Sequence, residues 1–199
     1  MLGEIKVRTY SALPYNKREI RRYAGASADF SELDSLIDEC TREIKEETLG
    51  KVCYREFPVA FDGENIDLSF ARLKSRDLAK NLDACESIVL FSATVGHEID
   101  RLISKYSRVH PLKALVLQAI GAERIECLCD EFSRDIAFEK AKEGKICRPR
   151  FSPGYGDLPI EIQKEIFASL DCQRKIGLTL NASMLMSPTK SVSAIIGIK

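Results

Sequence analysis

A long helical pattern constrains the fold of this chain more than any other feature. Pro111 begins it, since proline is favoured at the first position of a helix, and the stretch "LKALVLQAIGAERIECLCDEFSRDIAFEKAKEG" continues it to Gly144. The first half of this pattern is apolar nearly all round. Because a helix that is apolar on every side must be buried, we expect this half to form the centre of the core.

Shorter helical patterns lie on either side of the long one. They begin after the cap candidate Asn16, at Ser31, after the cap candidate Ser75, at Thr94 and near "PIEIQKEIFASL". The first of them is expected to end at Gly25 and the second at Gly50, because glycine is common just past the end of a helix.

Strand patterns are interspersed with these helices. "VCYREFPVAF" and "NIDLSFARL" predict two strands joined by a tight turn at Asp62-Gly63, and "SIVLFSATVG" predicts a buried strand. Short strand-like runs follow in "LTLNASMLMS" and "SVSAIIGI". Since no strand-helix unit repeats, the order favours an α+β fold with an antiparallel sheet, formed by residues 1–199 as a single domain.

Composition and charge exclude several classes of function. The chain has 30 Lys and Arg against 30 Asp and Glu, so no basic surplus is available for nucleic acid, and none is expected as a partner. The apolar runs are shorter than the roughly 20 residues that a membrane helix needs, and the first residues lack the apolar segment of a signal peptide. We therefore expect a cytoplasmic protein without a membrane partner.

The reactive residues form no familiar catalytic or metal site. Seven scattered cysteines lack a C-x-x-C pair, and Cys127 and Cys129 point to opposite sides of their predicted helix, so free thiols are the preferred interpretation. His97 and His110 lie at helix boundaries, where a surface or capping role is more common than catalysis. The usual nucleophile, zinc-protease and nucleotide-binding motifs are missing. We predict no catalytic residue and no metal ligand.

One loop stands out because its residues suit a small ligand. In "RPRFSPGYGDLP" Arg150 offers a fork of donors for a carboxylate, Gly154 permits positive φ, and Tyr155 presents a flat face for stacking. With open backbone amides, these residues could hold a small zwitterion that carries a heterocycle. On the residues alone, a plain turn with a salt-bridged arginine remains the preferred interpretation.

Two ordered motifs change that preference. "RPRFSPGYGDLP" and the later "IGLTLNASMLMSPTKSVSAIIGI" resemble the C-terminal activation (reactivation) domain of cobalamin-dependent methionine synthase, whose members show R-P-x-x-G-Y-P and then L-T-x-x-x-M-x-P-x-x-S-V-S. The upstream segments "LKSRDLAKNLDACESIVLFSATVGHEIDRLI" and "AERIECLCDEF" resemble the same family in the same order. The resemblance implies a single C-shaped α+β domain with a curved antiparallel sheet and flanking helices, in which residues 1–50, taken as a helical N-terminal part, match least.

The same resemblance implies a function. Members of this family bind S-adenosylmethionine and present it for reductive methylation of oxidised cobalamin, an accessory part of the methionine synthase reaction in methionine biosynthesis. Carried over by motif, Arg150 would hold the carboxylate of S-adenosylmethionine, the backbone at Ser152, Gly154 and Tyr155 would contact the adenosine, and Glu126 would meet the amino group. Two departures are Ser152, where members often have alanine, and Gly156, where they have proline; both are expected to loosen the loop.

The family's context supplies the expected partners. The chain contains no D-x-H-x-x-G loop with which to ligate cobalt, so cobalamin is expected only on a partner, a methionine synthase that lacks its own activation domain. A flavodoxin or another reductase would supply the electron. The family's pattern continues beyond Lys199 with a strand whose tyrosine touches the ligand, and this absence leaves open a docking chaperone that has lost S-adenosylmethionine binding. A self-sufficient methyltransferase acting on a small substrate is the third alternative.

Overall fold

The computed structural model describes residues 3–11, 13–26, 31–44 and 50–199, apart from the side chains of residues 31 and 32. The strands are β1 (Lys6–Tyr10), β2 (Gly50–Pro58), β3 (Ala60–Asp62), β4 (Asn65–Asp67), β5 (Arg72–Leu73), β6 (Ser87–Thr94), β7 (Thr179–Leu180), β8 (Met186–Ser187) and β9 (Ser191–Ile198). The helices are α1 (Lys17–Tyr23), α2 (Ser31–Glu43), α3 (Arg76–Asn81), α4 (Glu98–Tyr106), α5 (Pro111–Lys142), α6 (Gln163–Leu170) and α7 (Cys172–Ile176), with a 3-10 turn at Ile160–Ile162 before α6.

The main sheet has four strands in the order β1-β2-β6-β9, all of them antiparallel. Strand β6 lies inside the sheet, and seven of its eight residues are buried. Because both faces of β6 are covered, its residues 88–91 form a continuous apolar run rather than an alternation. The buried strand predicted from "SIVLFSATVG" is confirmed.

Each face of this sheet supports its own core, since successive side chains of a strand point to opposite faces. Val89, Phe91 and Ala93 of β6 pack on the α5 side together with Phe132. Ile88 and Leu90 pack on the other side, where α3, α6 and α7 contribute their apolar residues. The strand at the edge of the sheet, β9, sends Ala194 to the first core and Ile195 to the second.

Helix α5 is the centre of the first core, as its pattern predicted. It begins at Pro111, where the His110 Nδ1 atom accepts a hydrogen bond from the Lys113 amide at 3.2 Å. Val116, Leu117 and Ile120 are fully buried in its first half. Most of the first half is thus buried, as predicted, but Leu112 and Leu115 are 55% and 48% exposed, so this half is not covered on every side. The helix ends at Lys142, just before Gly144.

Several local predictions are confirmed by the backbone and its hydrogen bonds. The Asn16 Oδ1 atom caps α1 by accepting from the Glu19 amide at 3.3 Å, and the Ser75 Oγ atom caps α3 by accepting from the Leu78 amide at 3.0 Å. Strands β3 and β4 form the tight hairpin at Asp62-Gly63, with Asp62 paired to Asn65.

Two helix boundaries predicted from the sequence are wrong. Gly50 begins strand β2 instead of ending α2, which stops at Glu43; residues 45–49 lie outside the described residues, as does the capping side chain of Ser31. Thr94 is the last residue of β6, paired with Lys51 and Ser191. Gly96, at φ 78°, turns the chain away from the sheet before α4 begins at Glu98.

Two strands also differ from the prediction. The first fifty residues are not wholly helical, because Lys6–Tyr10 pairs with β2 as the edge strand β1. The segment "VCYREFPVAF" divides at Val59, whose amide donates to the Glu86 carbonyl at 3.1 Å instead of continuing either strand. Its first part belongs to the main sheet, and its second part to the small β3-β4-β5 sheet.

The α+β class, with antiparallel sheets and flanking helices, is confirmed. All seven cysteines lie within the described residues and carry free thiols. In the described ranges no helix is both long and apolar enough to cross a membrane. The assignment of residues 1–199 to one domain stays a prediction.

Candidate ligand groove

A groove of about 810 Å³ opens at the β9 edge of the main sheet, and we call it the Arg150 groove. One wall comes from the polar side of α5 and the other from the segment Cys147–Tyr155, with α6, β8 and β9 closing the inner end. The lining residues used below are Glu126, Arg150, Ser152, Tyr155, Gln163, Met186 and Ser193.

Pairing with β9 fixes the segment that carries Arg150. The amide of Phe151 donates to the Ile195 carbonyl at 2.8 Å, and the amide of Ile195 donates back at 2.9 Å. Cys147 forms a second antiparallel bridge to Ile198. The segment therefore covers the open edge of β9 and holds Arg150 against α5.

Arg150 uses both ends of its guanidinium group on carboxylates of α5. Its Nη2 atom lies 2.6 Å from Glu126 Oε2, and its Nη1 atom donates to Asp130 Oδ1. Glu126 and Asp130 are four residues apart, so they share one face of the helix. Burial, the largest single influence, would lower the pKa of Arg150, but the hydrogen bond to Asp130 and the neighbouring negative charges, including those of Asp130 and Glu126, together outweigh it. The pKa therefore lies above its ordinary value.

The turn after Arg150 uses its backbone amides internally. Gly154, at φ 87°, donates to the Leu158 carbonyl at 2.9 Å, and Tyr155 donates to the Ser152 carbonyl at 3.2 Å. The expectation of open amides at these residues is therefore wrong for Gly154 and Tyr155, because two consecutive turns consume them. The Tyr155 side chain is 67% exposed, and its ring is accessible at the groove for stacking.

The backbone conformation at Gly156 explains why this position does not have the proline that the family motif has. Its φ of 53° is out of reach for proline, whose ring holds φ near −65°. A Cβ atom at this position would also lie 2.1 Å from the Asp77 Oδ2 atom. Contact with the neighbouring α3 therefore requires glycine at position 156. Glycine in place of the family's proline suits a loop that follows a path closed to proline.

Asp157 anchors the far end of the loop to the start of α3. Its Oδ2 atom accepts from the Arg76 amide at 2.7 Å, and its Oδ1 atom accepts from the Ser75 hydroxyl and from the Asp77 amide at 3.2 Å. The Ser75 hydrogen bond, followed by the Arg76 amide, lowers the pKa of Asp157 below its ordinary value. The loop is therefore fixed at both ends, by β9 and by α3.

Of the five residues that the sequence singled out, Glu126, Arg150, Ser152 and Tyr155 line the groove, and Gly154 lies in the turn between Ser152 and Tyr155. Sequence reasoning missed three others: Asp130, Gln163 and Ser193. Asp130 could have been predicted, because it follows Glu126 by one helical turn and therefore lies on the same face of α5. Ser193 lies in the S-V-S run of the second motif, but that motif did not assign it to the site. Gln163 carried no local signal, because the packing of α6 against β6 and β2 places it in the groove.

The family assignment rests on the segment that builds this groove. Residues 77–199 match the sequence family described as vitamin B12 dependent methionine synthase, activation domain. This match covers more than half of the chain, including α5, the Arg150 segment and β9. The chain belongs to this activation domain family. The resemblance seen in the sequence motifs is confirmed.

A solved activation domain has a similar fold. The crystal structure of the MetH reactivation domain bound to AdoHcy superposes with a TM-score of 0.67 at 16% sequence identity, covering 98% of this chain and 79% of that one. At this level of identity the likeness shows the fold alone. Among curated proteins, none matches the chain.

Proposed function

We propose that this protein is the reactivation subunit of a split cobalamin-dependent methionine synthase. It binds S-adenosylmethionine and presents the methyl group to cobalamin held by a partner, a synthase that lacks its own activation domain. Membership of the activation domain family supports the role, and the AdoHcy bound to the solved reactivation domain supports this class of ligand. The protein acts as an accessory component in the cytoplasm.

The observation that carries the proposal is the pairing of Arg150 with Glu126 and Asp130 beside a groove of about 810 Å³, which Arg150 and Glu126 line. A ligand with a carboxylate and an ammonium group matches such a set, because its carboxylate replaces one acid on Arg150 and its ammonium pairs with the acid released. The side chain of Asp130 is 59% exposed and that of Glu126 is 44% exposed. We therefore assign the exchange to Asp130, which then pairs with the ligand's ammonium group. Glu126 stays on the guanidinium of Arg150, although the family resemblance would place it at the amino group.

The rest of the groove suits the nucleoside. The ring of Tyr155 offers a stacking surface, and the tight turn at Gly154 lets the ligand approach the backbone around Ser152. Because the Gly154 and Tyr155 amides are already paired, their contribution is shape rather than hydrogen bonds.

The methyl transfer requires this chain only to hold and orient S-adenosylmethionine. S-adenosylmethionine would supply the methyl group without its bonding electrons, because the electron pair of the broken carbon–sulfur bond stays on sulfur and yields S-adenosylhomocysteine. The partner's cobalamin, reduced by one electron from a flavodoxin or another reductase, would supply the electron pair of the new cobalt–carbon bond. Such a transfer depends on orientation and requires no proton to be moved by the protein.

Isothermal titration with S-adenosylmethionine tests the ligand site. The unmodified protein should bind it, Arg150→Ala should lose at least about tenfold in affinity, and Arg150→Lys should recover only part because a lysine cannot make the two-ended contact. Arg101→Ala is the control, since the exposed Arg101 side chain pairs with Glu98 of α4 and does not line the groove. Equal affinity in Arg150→Ala and Arg101→Ala would remove Arg150 from the site.

A docking chaperone without ligand binding is the second candidate, and one observation favours it. Both ends of the Arg150 guanidinium are already occupied, as they would be in a site kept only for structure. Mixing the protein with an inactive synthase that lacks its activation domain distinguishes the reactivation subunit from the docking chaperone. Reactivation that depends on S-adenosylmethionine and a reductant supports our proposal, and docking without ligand dependence supports the chaperone. Failure to bind or reactivate any such synthase contradicts both.

A further inference from the structure

Two buried thiols, those of Cys53 and Cys172, meet in the second core, and neither residue lines the Arg150 groove. Their sulfur atoms lie 3.8 Å apart, although 119 positions separate the residues along the chain. Cys53 belongs to the interior strand β2, and Cys172 begins the short helix α7. The sulfur atoms of a disulfide are about 2 Å apart, so a relative shift of less than about 2 Å brings these two within bonding distance.

The two cysteines differ in their access to solvent. Cys172 is 1% exposed and borders a cleft of about 370 Å³ that α6, α7 and β7 form. Cys53 is fully buried and does not border this cleft. Hydrogen peroxide is only slightly larger than water, so it fits easily into a cleft of this volume. An oxidant that enters from solvent therefore meets Cys172 before Cys53.

The hydrogen bond between the two thiols makes them chemically unequal. The Cys53 thiol donates, and the Cys172 sulfur accepts. This hydrogen bond lowers the pKa of Cys172 below its ordinary value against the opposing effect of burial, and together with burial it raises the pKa of Cys53. Because the thiolate is the nucleophile in thiol oxidation, Cys172 is the cysteine that attacks an oxidant and Cys53 is the one that reacts second.

We propose that Cys53 and Cys172 form a site of reversible oxidation, at which hydrogen peroxide converts the two thiols into a disulfide. The Cys172 sulfur attacks one peroxide oxygen, the oxygen–oxygen bond breaks, and the other oxygen leaves with the thiol proton as water. The Cys53 sulfur then attacks the resulting sulfenic acid, and its hydroxyl leaves with the Cys53 proton as a second water. Two electrons thus pass from the sulfur atoms to the peroxide.

The disulfide ties α7 covalently to the main sheet. Helix α7 has only five residues and lies between two residues of left-handed backbone, Asp171 at φ 47° and Gly177 at φ 71°. From α7 the chain continues through β7 to β8, where Met186 lines the Arg150 groove. The bond also closes a long stretch of chain, which restricts the unfolded state, so the oxidised protein is the more stable form.

Treatment of the reduced full chain with hydrogen peroxide tests this site. After the reaction the protein is unfolded, the remaining thiols are blocked with N-ethylmaleimide, and peptide mapping by mass spectrometry locates each cysteine. We expect a disulfide between Cys53 and Cys172, with a rise in Tm of roughly 5 °C or more that dithiothreitol reverses. If both thiols are still free when the partly exposed Cys127 and Cys147 have been oxidised, the proposal is wrong.

Three variants test the order of the two steps. Cys53→Ala should accumulate a sulfenic acid at Cys172, which dimedone traps, whereas Cys172→Ala should leave Cys53 unreacted. Cys40→Ala is the matched control, since Cys40 is equally buried but belongs to the first core, and it should form the disulfide as the unmodified protein does. Dimedone trapping at Cys53 in Cys172→Ala would overturn the assigned order. Peptide mapping of the unmodified protein decides whether the disulfide forms even if a variant fails to fold.

Discussion

Among the arginines that pair with acids of α5, Arg124 and Arg150 have different surroundings, and these surroundings give them different tasks. Arg124, in α5, donates from Nε to Glu123 Oε2 at 2.7 Å, and it also donates to the backbone carbonyls of Leu13 and Pro14. Glu123 in turn accepts from the Asn16 amide at 3.1 Å. This buried pair therefore fastens the segment before α1 to the central helix.

Within the part of the chain that the structure describes, the Arg150 guanidinium has only side-chain partners, and both are partly exposed. Its acids are 44% and 59% exposed, against 4% for the Glu123 side chain. A carboxylate that reaches water can be exchanged for the carboxylate of a ligand at small cost, whereas a carbonyl of the folded backbone cannot. The comparison teaches that the partners and their burial, rather than the arginine itself, separate a structural clamp from a binding site.

Arg124→Ala tests whether the buried Arg124 pair is a structural clamp, and of the variants discussed here it should lower the stability of the fold the most. Removal of one partner from a buried pair leaves Glu123 uncompensated and the Leu13 carbonyl without its donor, so we expect a loss of about 3–5 kcal/mol in the free energy of unfolding. Urea unfolding measures it. Arg134→Ala, which breaks an exposed pair with Glu131 on the same helix, should leave stability nearly unchanged. Similar curves for the two variants would show that burial does not distinguish these pairs.

Asp157→Asn tests whether the charge of Asp157 holds the loop that carries Arg150 against α3. We expect a smaller loss of stability than for Arg124→Ala, because Asp157 is exposed but accepts three hydrogen bonds from the start of α3. Its lowered pKa means that the folded state favours the charged form. The stabilisation is therefore complete above the ordinary pKa of 3.8 and is lost as the pH falls through the lower value of the folded state.

Thermal unfolding between pH 7 and pH 2 measures this effect. The difference in Tm between the unmodified protein and Asp157→Asn should be constant near neutral pH and shrink below pH 3.8. A difference that persists at pH 2 would mean that the charge of Asp157 does not anchor the loop.

Local chemistry made parts of the fold predictable from the sequence. The cap at Ser75, the turn at Asp62-Gly63 and the apolar start of α5 each depend on neighbouring residues, so their patterns could be read directly. Strand β1 could not, because its five residues are half exposed and its partner, β2, begins forty residues later. The end of β6 at Thr94 depends likewise on pairing with both neighbours, which outweighed the helical pattern.

The candidate site was predictable only through its motif. Arg150 and Tyr155 lie in one recognisable loop, but the contact of Arg150 with Asp130 joins residues twenty positions apart, and no local pattern encodes it. Gln163 entered the groove through helix packing. The internal hydrogen bonds of Gly154 and Tyr155 arise from the path of the turn, which residue types alone do not specify.

Arg150→Ala should lower the stability of the fold less than Arg124→Ala or Asp157→Asn. Because its partners reach solvent, loss of the two ion pairs should cost about 0–1 kcal/mol in urea unfolding, against the much larger loss for Arg124→Ala. Glu126 and Asp130 would become hydrated instead of being left buried and unpaired. The same variant should lose ligand affinity, so affinity and stability would separate at Arg150 and not at Arg124. A loss of stability comparable to that of Arg124→Ala would mark the Arg150 pair as a second clamp and favour the docking chaperone.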